Sequence, residues 1–141
     1  MLRIRPFRLE DSDAVIGLWR ECDLLRPWND PQKDIERKLT VQPELFIVAE
    51  NAEGAVIGSA MIGYEGHRGW VYYLAVKPAC QGQGAGRALM HEAEALLLAR
   101  GCPKIQLLVR AGNSQVVDFY ERQGYEKSDV LMLGKRLIPD S

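Results

Sequence analysis

Three glycines spaced by two, Gly82, Gly84 and Gly86, stand between a strand-like run ending at Pro78 and an apolar-periodic run opening near Ala88. Lacking Cβ atoms, the segment Gln81-Gly82-Gln83-Gly84-Ala85-Gly86-Arg87 lets main-chain N–H groups approach a ligand closely and point at it. The N-terminus of the helix that follows adds about half a positive charge, so the guest such a loop prefers is an anion, most naturally a pyrophosphate. Other glycine loops fit less well. A dinucleotide fingerprint reads G-x-G-x-x-G and wants an acidic residue about 20 positions on. Here the spacing is G-x-G-x-G, and the next strand candidate, Ile105-Gln106-Leu107-Leu108-Val109, carries no carboxylate. A Walker loop ends in Gly-Lys-Ser/Thr, which is absent. A plain strand-to-helix turn uses glycines in the same way, and the spacing alone does not separate it from phosphate binding.

The surrounding residues do. The run from Leu74 through Val76-Lys77-Pro78 to Gln81-Gly82-Gln83-Gly84-Ala85-Gly86 resembles the coenzyme A motif of the GNAT superfamily of N-acetyltransferases, in which V-x-P leads into Q/R-x-x-G-x-G/A. A second stretch, Asn113-Ser114-Gln115-Val116-Val117-Asp118-Phe119-Tyr120-Glu121-Arg122-Gln123-Gly124-Tyr125, resembles the family's N-x-x-A-x-x-[FL]-Y-x-x-x-G-[FY]. Val116 stands where alanine is usual, and Ala85 where isoleucine or valine is usual. The likeness runs from Ile4 to Leu137. Residues 22–31, 66–69 and 99–106 further resemble the bacterial YpeA subgroup.

That resemblance implies an α/β fold: a mixed, mostly antiparallel sheet flanked by helices and splayed between strands 4 and 5. It implies acetyl-CoA as co-substrate, no metal, and direct attack of a primary amine, borne by a small molecule or a peptide, on the thioester. Residues Gln81 to Arg87 would hold the pyrophosphate. Backbone groups of Leu74, Ala75 and Val76 would face the pantetheine arm, and an N–H there would polarise the thioester carbonyl. Tyr120 would protonate the departing thiolate. A phenol near pKa 10 giving its proton to a thiol near 8.5 climbs about 2 kcal/mol. The plainer alternative makes Tyr120 an aromatic packed beside Phe119. Asn113 has two compatible roles, helix N-cap and ligand of the pantetheine or phosphate. Arg87 either touches a phosphate or stays solvated. Trp28, with Arg26, Asn29 and Asp30, lies in a loop that in the family helps form the acceptor pocket, or else anchors packing. Cys80 reads as a structural thiol, and a homodimer is also in keeping with the family.

The general base is harder to place. Acyl transfer needs a neutral amine and so a proton acceptor near pH 7. The family's usual glutamate on the fourth strand is missing from Trp70-Val71-Tyr72-Tyr73-Leu74. Glu65 and His67 precede that strand, and His67 has a suitable intrinsic pKa. Yet seven residues of straight strand separate His67 from Leu74, about 23 Å. Tyr72 is nearer but a poor base, which leaves a water relay or a base that the sequence does not reveal. The missing glutamate also keeps open a non-catalytic acyl-CoA-binding module. An acetylating toxin directed at tRNA would need a basic surface, which a net charge of -1 does not supply.

These groups need a frame. A chain of 141 residues, 47% hydrophobic, makes one domain, residues 1–141, with a sizeable core. The charge balance gives no sign of a nucleic-acid or membrane partner. Three scattered cysteines, Cys22, Cys80 and Cys102, lack metal-ligand spacing and fit a reduced, cytoplasmic protein. The N-terminal residues lack the apolar core of a signal peptide. Pattern predicts a first edge strand around Leu2 to Leu9, with Pro6 in it. A helix capped by Asp11 or Ser12 follows, with Val15, Leu18, Trp19 and Cys22 on one face. A short helix is predicted over Asp34–Leu39. Strands Glu44–Glu50 and Ala55–Tyr64 flank the hairpin signal Asn51-Ala52-Glu53-Gly54, and a fourth strand covers Trp70–Val76. The next helix carries Leu89, Ala93, Leu96 and Leu97 and stops at Gly101. Strand Ile105–Val109, a helix from Asn113 to Gly124 and a final strand Val130–Leu137 complete the expectation.

Overall fold

Alternation along the second strand sets the layering. Phe46 and Val48 pack with Val15, Leu18, Trp19 and Ile35, whereas Ile47 and Ala49 pack with Leu89, Met90, Ala93 and Leu97. Successive side chains of a strand point to opposite faces, so a strand apolar at every position must be covered on both. The structure, a computed structural model, describes residues 1–140. Its elements are β1 (Arg3–Pro6), α1 (Ser12–Glu21), α2 (Pro31–Lys38), β2 (Phe46–Glu50), β3 (Val56–Tyr64), β4 (Gly69–Val76), α3 (Ala85–Ala99), β5 (Ile105–Leu107) and α4 (Ser114–Glu121). The sheet runs in the order β1-β2-β3-β4-β5. Neighbours are antiparallel except β4 and β5, which are parallel and joined through α3. Helices α1 and α2 cover one face; α3 and α4 cover the other.

All but one of the expected elements form where the pattern places them, within a few residues. Pro6 closes β1 at the sheet's edge, where its missing N–H costs no ladder bond. Asp11 sits at the N-cap of α1 without capping it: its carboxylate accepts from both terminal guanidinium nitrogens of buried Arg5, at 2.8 and 3.0 Å, and from the Arg8 backbone N–H. That pairing holds the Asp11 carboxyl below its ordinary range and the guanidinium above its own. Helix α2 starts earlier than expected. The Asp30 side chain caps it by accepting from Gln32 and Lys33 N–H groups, with Pro31 at its first position. Pro43–Leu45 forms a single tight turn, so the second strand begins at Phe46 rather than Glu44. The Asn51 side chain accepts from Glu53 and Ala55 and closes the β2–β3 hairpin. None of the described helices is long and apolar enough to cross a membrane.

One expected element is absent. Residues Val130–Leu137 form no strand, because in this chain they lie against no open edge, and the sheet ends at β5. Alternating apolar residues specify a strand only when a partner offers its N–H and C=O groups.

Candidate active site

A break in the β3–β4 ladder creates the site. Ser59 pairs with Ala75 and Met61 with Tyr72, so Ala60 alone faces two residues of β4, Tyr73 and Leu74. This is a β-bulge. Its first residue, Tyr73, has φ +53°, a left-handed conformation costing about 1–2 kcal/mol in a residue other than glycine. Packing and hydrogen bonds hold it there. The Tyr73 ring stacks on Trp19 at 3.7 Å between centroids, and its carbonyl accepts from the Ser59 hydroxyl at 2.8 Å. The same hydroxyl accepts from the Trp19 indole N–H at 2.9 Å. On the far side the Tyr73 hydroxyl donates to Asp34 Oδ2 at 2.7 Å and accepts from Asn29 Nδ2 at 3.1 Å. Burial and the neighbouring carboxylate push the Tyr73 phenol well above its ordinary value. Tyr73→Phe keeps the ring stack and loses both hydroxyl bonds. It is expected to lower stability by about 1 kcal/mol, read as a reduced urea midpoint with an unchanged slope.

Past the bulge the sheet opens. β5 pairs with β4 only over Gly69–Val71, and beyond that point the two strands part. A cleft of about 800 Å³ fills the gap. Tyr72, Tyr73 and Leu74 form its floor, with Leu107 to Arg110 on one side. Asn113, Val116 and Tyr120 of the α4 segment close one end, and Asn29, Asp34 and Arg37 stand on the opposite wall.

Tyr120 is 8% exposed, in edge-to-face contact with Phe119 and Tyr125 at 5.1 and 5.7 Å. Its hydroxyl bonds to no described residue, yet every sealed-off side-chain polar atom among the described residues has a partner. The hydroxyl therefore opens into the cleft. Burial alone pushes this phenol up to about 12. Asn113 occupies the N-cap position of α4, but its side chain makes no capping bond. The capping role expected of that side chain is thus not exercised, and its amide is left to the cleft it lines.

The structure brings Leu74, Asn113 and Tyr120 together in one cavity. It does not bring the whole expected set. Ala75 is buried in the core on the α1 side, paired with Ser59. The Val76 carbonyl is already taken by Gln81 Nε2 at 3.0 Å and Cys22 Sγ at 3.3 Å. Gln81 therefore turns its side chain back to close the loop. The loop itself, Gln81 to Arg87, lies beyond the cleft's lining at the C-terminal end of β4. Gly82 and Gly84 have φ +80° and +89°, and Gly84 caps α3. Gly86 serves packing instead: a Cβ there would lie 3.1 Å from the Phe119 ring. The start of α3 is thereby set directly beside α4. Arg87 lines a separate hollow with Gly84, Ile4 and His91.

Neither early candidate for a base reaches the cleft. The Glu65 carboxylate accepts from the His67 and Arg68 N–H groups and from the Trp70 indole at 3.2 Å, bonds that hold its carboxyl low. His67 is exposed in the same turn. Tyr72 does line the cleft, but burial raises its phenol further. Trp28 is 52% exposed and lines the cleft. Sequence reasoning missed Asp34 and Tyr73. Asp34 was visible only as a polar residue of a short helix; the bulge that brings Tyr73 to it leaves no mark in local pattern.

Comparison with known proteins agrees with this geometry. The family model for the acetyltransferase (GNAT) family matches residues 13–125. An acetyltransferase of Yersinia enterocolitica and one of Pectobacterium atrosepticum are each 55% identical over 139 residues, covering 99% of this chain and 98% of theirs. Among solved structures, AAC(6')-Iy in complex with the bisubstrate analogue CoA-S-monomethyl-acetylneamine superposes with a TM-score of 0.79 at 16% identity, covering 98% of this chain and 99% of that one. The Escherichia coli ribosomal-protein-S18-alanine N-acetyltransferase gives 0.75 at 23% identity, with 91% and 79% covered. At such identities these two share the fold. With its sheet parted between β4 and β5, and a matching family model over most of its length, this chain belongs to the GNAT acetyltransferase family.

Proposed function

We propose that this protein, acting as one domain, transfers an acetyl group from acetyl-CoA directly to a primary amine held in the same cleft. The observation that carries the reading is the Tyr73–Leu74 bulge, which opens the sheet opposite Tyr120. Acetyl-CoA suits the residues present: a parted strand offers unpaired backbone groups, and a glycine turn with two left-handed residues leads into a helix N-terminus. When bound it supplies an activated thioester.

The chain's own groups do the rest. Amides of Gly82 to Arg87 hold phosphates, and N–H groups near Leu74 hold the pantetheine arm and the thioester oxygen. Asn113 contributes its free amide from the end of the cleft. The Tyr120 hydroxyl delivers a proton to the departing sulfur. The amine's proton leaves through water. Much of the acceleration comes from holding the two reactants together. Three free cysteines suit a reducing cytoplasm, and the acceptor is a small-molecule or peptide amine.

Calorimetric titration with acetyl-CoA, and separately with NAD and ATP, tests the reading. Micromolar affinity for acetyl-CoA alone, followed by turnover on a panel of amines, is the expected result. No binding would overturn it. Binding without turnover on any amine would favour the non-catalytic acyl-CoA-binding module, to which the lack of a carboxylate on β4 points.

A further inference from the structure

Ser59 lies in the middle of β3, paired with Val48 on one side and Ala75 on the other, and is 0% exposed. A hydroxyl sealed in an apolar layer is costly unless it is bonded. Here both of its bonds are committed. It accepts from the Trp19 indole N–H at 2.9 Å, and its own proton goes to the Tyr73 carbonyl at 2.8 Å. That carbonyl needs a side-chain donor because the bulge takes Tyr73 and Leu74 out of the β3–β4 register. The bond also fixes a peptide plane. The Tyr73–Leu74 peptide is trans, so its C=O and N–H point in opposite directions. With the carbonyl drawn toward β3, the Leu74 N–H is turned away from β3, to the side where β4 and β5 have parted. Leu74 lines the cleft there, and β5 pairs with β4 only over Gly69–Val71. Without the Ser59 hydroxyl, rotation of this one peptide would exchange the two groups and present an oxygen to the cleft in place of a donor.

We propose that Ser59 is a positioning residue for acetyl transfer: its hydroxyl holds the Tyr73 carbonyl so that the Leu74 N–H stands as a fixed donor to the thioester oxygen. The role rests on the direct transfer proposed above. A donor already aimed needs no reorganisation as negative charge gathers on that oxygen, while the bond from the amine nitrogen to the carbonyl carbon forms and before the C–S bond breaks. The sulfur leaves with the Tyr120 proton, and the amine's surplus proton goes to water. Ser59 touches neither reactant and acts only through the peptide. The Tyr73 side chain is held separately, by its stack on Trp19 and its hydroxyl bonds to Asn29 and Asp34. Loss of the Ser59 hydroxyl therefore frees the peptide while the ring stays in place.

Ser59→Ala is expected to lower kcat about 10- to 30-fold, less than outright loss of a donor but in keeping with a reacting group held loosely. Acetyl-CoA affinity by calorimetry should stay near the wild-type value, since the phosphate contacts lie elsewhere. The alanine also orphans the Trp19 N–H and lowers stability, so Leu97→Val, which thins the core at the far end of α3, is the matching control. Its urea midpoint should fall while kcat holds. A second readout needs no turnover. The Leu74 amide proton should move downfield on addition of acetyl-CoA and move less with CoA, which lacks the carbonyl; in Ser59→Ala that difference should shrink. Wild-type kcat in a folded Ser59→Ala would overturn the proposal and leave the transfer reading standing, as would a kcat loss in Leu97→Val as large as the alanine's. Should Ser59→Ala not fold, Ser59→Cys decides, being similar in volume but a weak donor. Lowered kcat with unchanged affinity supports the role, and wild-type kcat overturns it. A wild-type protein that acetylates no amine overturns the transfer reading, and the positioning role falls with it.

Discussion

Gly84→Asp is expected to weaken acetyl-CoA binding at least about 100-fold, a loss of roughly 3 kcal/mol, while the fold survives. Gly84 stands at the N-cap of α3, where the helix's positive end and the loop amides converge. A carboxylate there brings like charge against a pyrophosphate, a juxtaposition that costs several kcal/mol when desolvated. Space is not the obstacle, since a Cβ on Gly84 meets nothing within 4 Å. Backbone strain is, to a degree: φ is +89°, and leaving glycine costs about 1–2 kcal/mol. Gly84→Ala carries that strain without the charge. The two variants should therefore lose similar stability in urea, with the aspartate no worse, because Asp tolerates left-handed backbone better than Ala. Only the aspartate should lose the coenzyme in a calorimetric titration. Equal affinities in the two folded variants would remove the loop from the binding site.

The elements of this fold were legible because their signals are local. The short apolar run Phe46–Ala49, the helical face of Leu89, Ala93 and Leu97, and the stop at Gly101 each follow from a run, a period or a turn residue that needs no partner. Gly101 indeed has φ +77° past the end of α3, with the Cys102 N–H returning to the Leu97 carbonyl. The loop and Tyr120 were legible for a different reason, as residues of family motifs. What stayed hidden depends on pairing between distant segments. Whether Val130–Leu137 becomes a strand depends on an edge elsewhere, and nothing inside the segment reports it. The Asp34–Tyr73 contact joins residues 39 apart across a bulge. Asn113 shows the opposite limit: its position at a helix start was legible, but the direction of its side chain was not.

Tyr120→Phe is expected to lower kcat by about 100-fold or more, the usual range for loss of a positioned acid, with acetyl-CoA affinity nearly unchanged. Structure makes this substitution a clean one. The hydroxyl has no partner among the described residues, so its removal orphans none of their donors or acceptors, and the ring contacts with Phe119 and Tyr125 remain. Stability should therefore stay within about 0.5 kcal/mol, and lost activity cannot be charged to a damaged core. The phenol's raised value, about 12, bears on the pH profile. Because burial moves it upward, the proton is held throughout the neutral and mildly alkaline range, and ionisation of Tyr120 should not limit kcat below about pH 11. Against a free thiol near 8.5 the transfer climbs about 3.5 units, roughly 5 kcal/mol. A thiolate developing in the same apolar cleft has its own value raised by the same desolvation, which narrows that gap. A Phe variant with full kcat on the best acceptor amine would show that water, not Tyr120, protonates the leaving sulfur. A variant slowed 100-fold with wild-type coenzyme affinity would assign the proton to this hydroxyl.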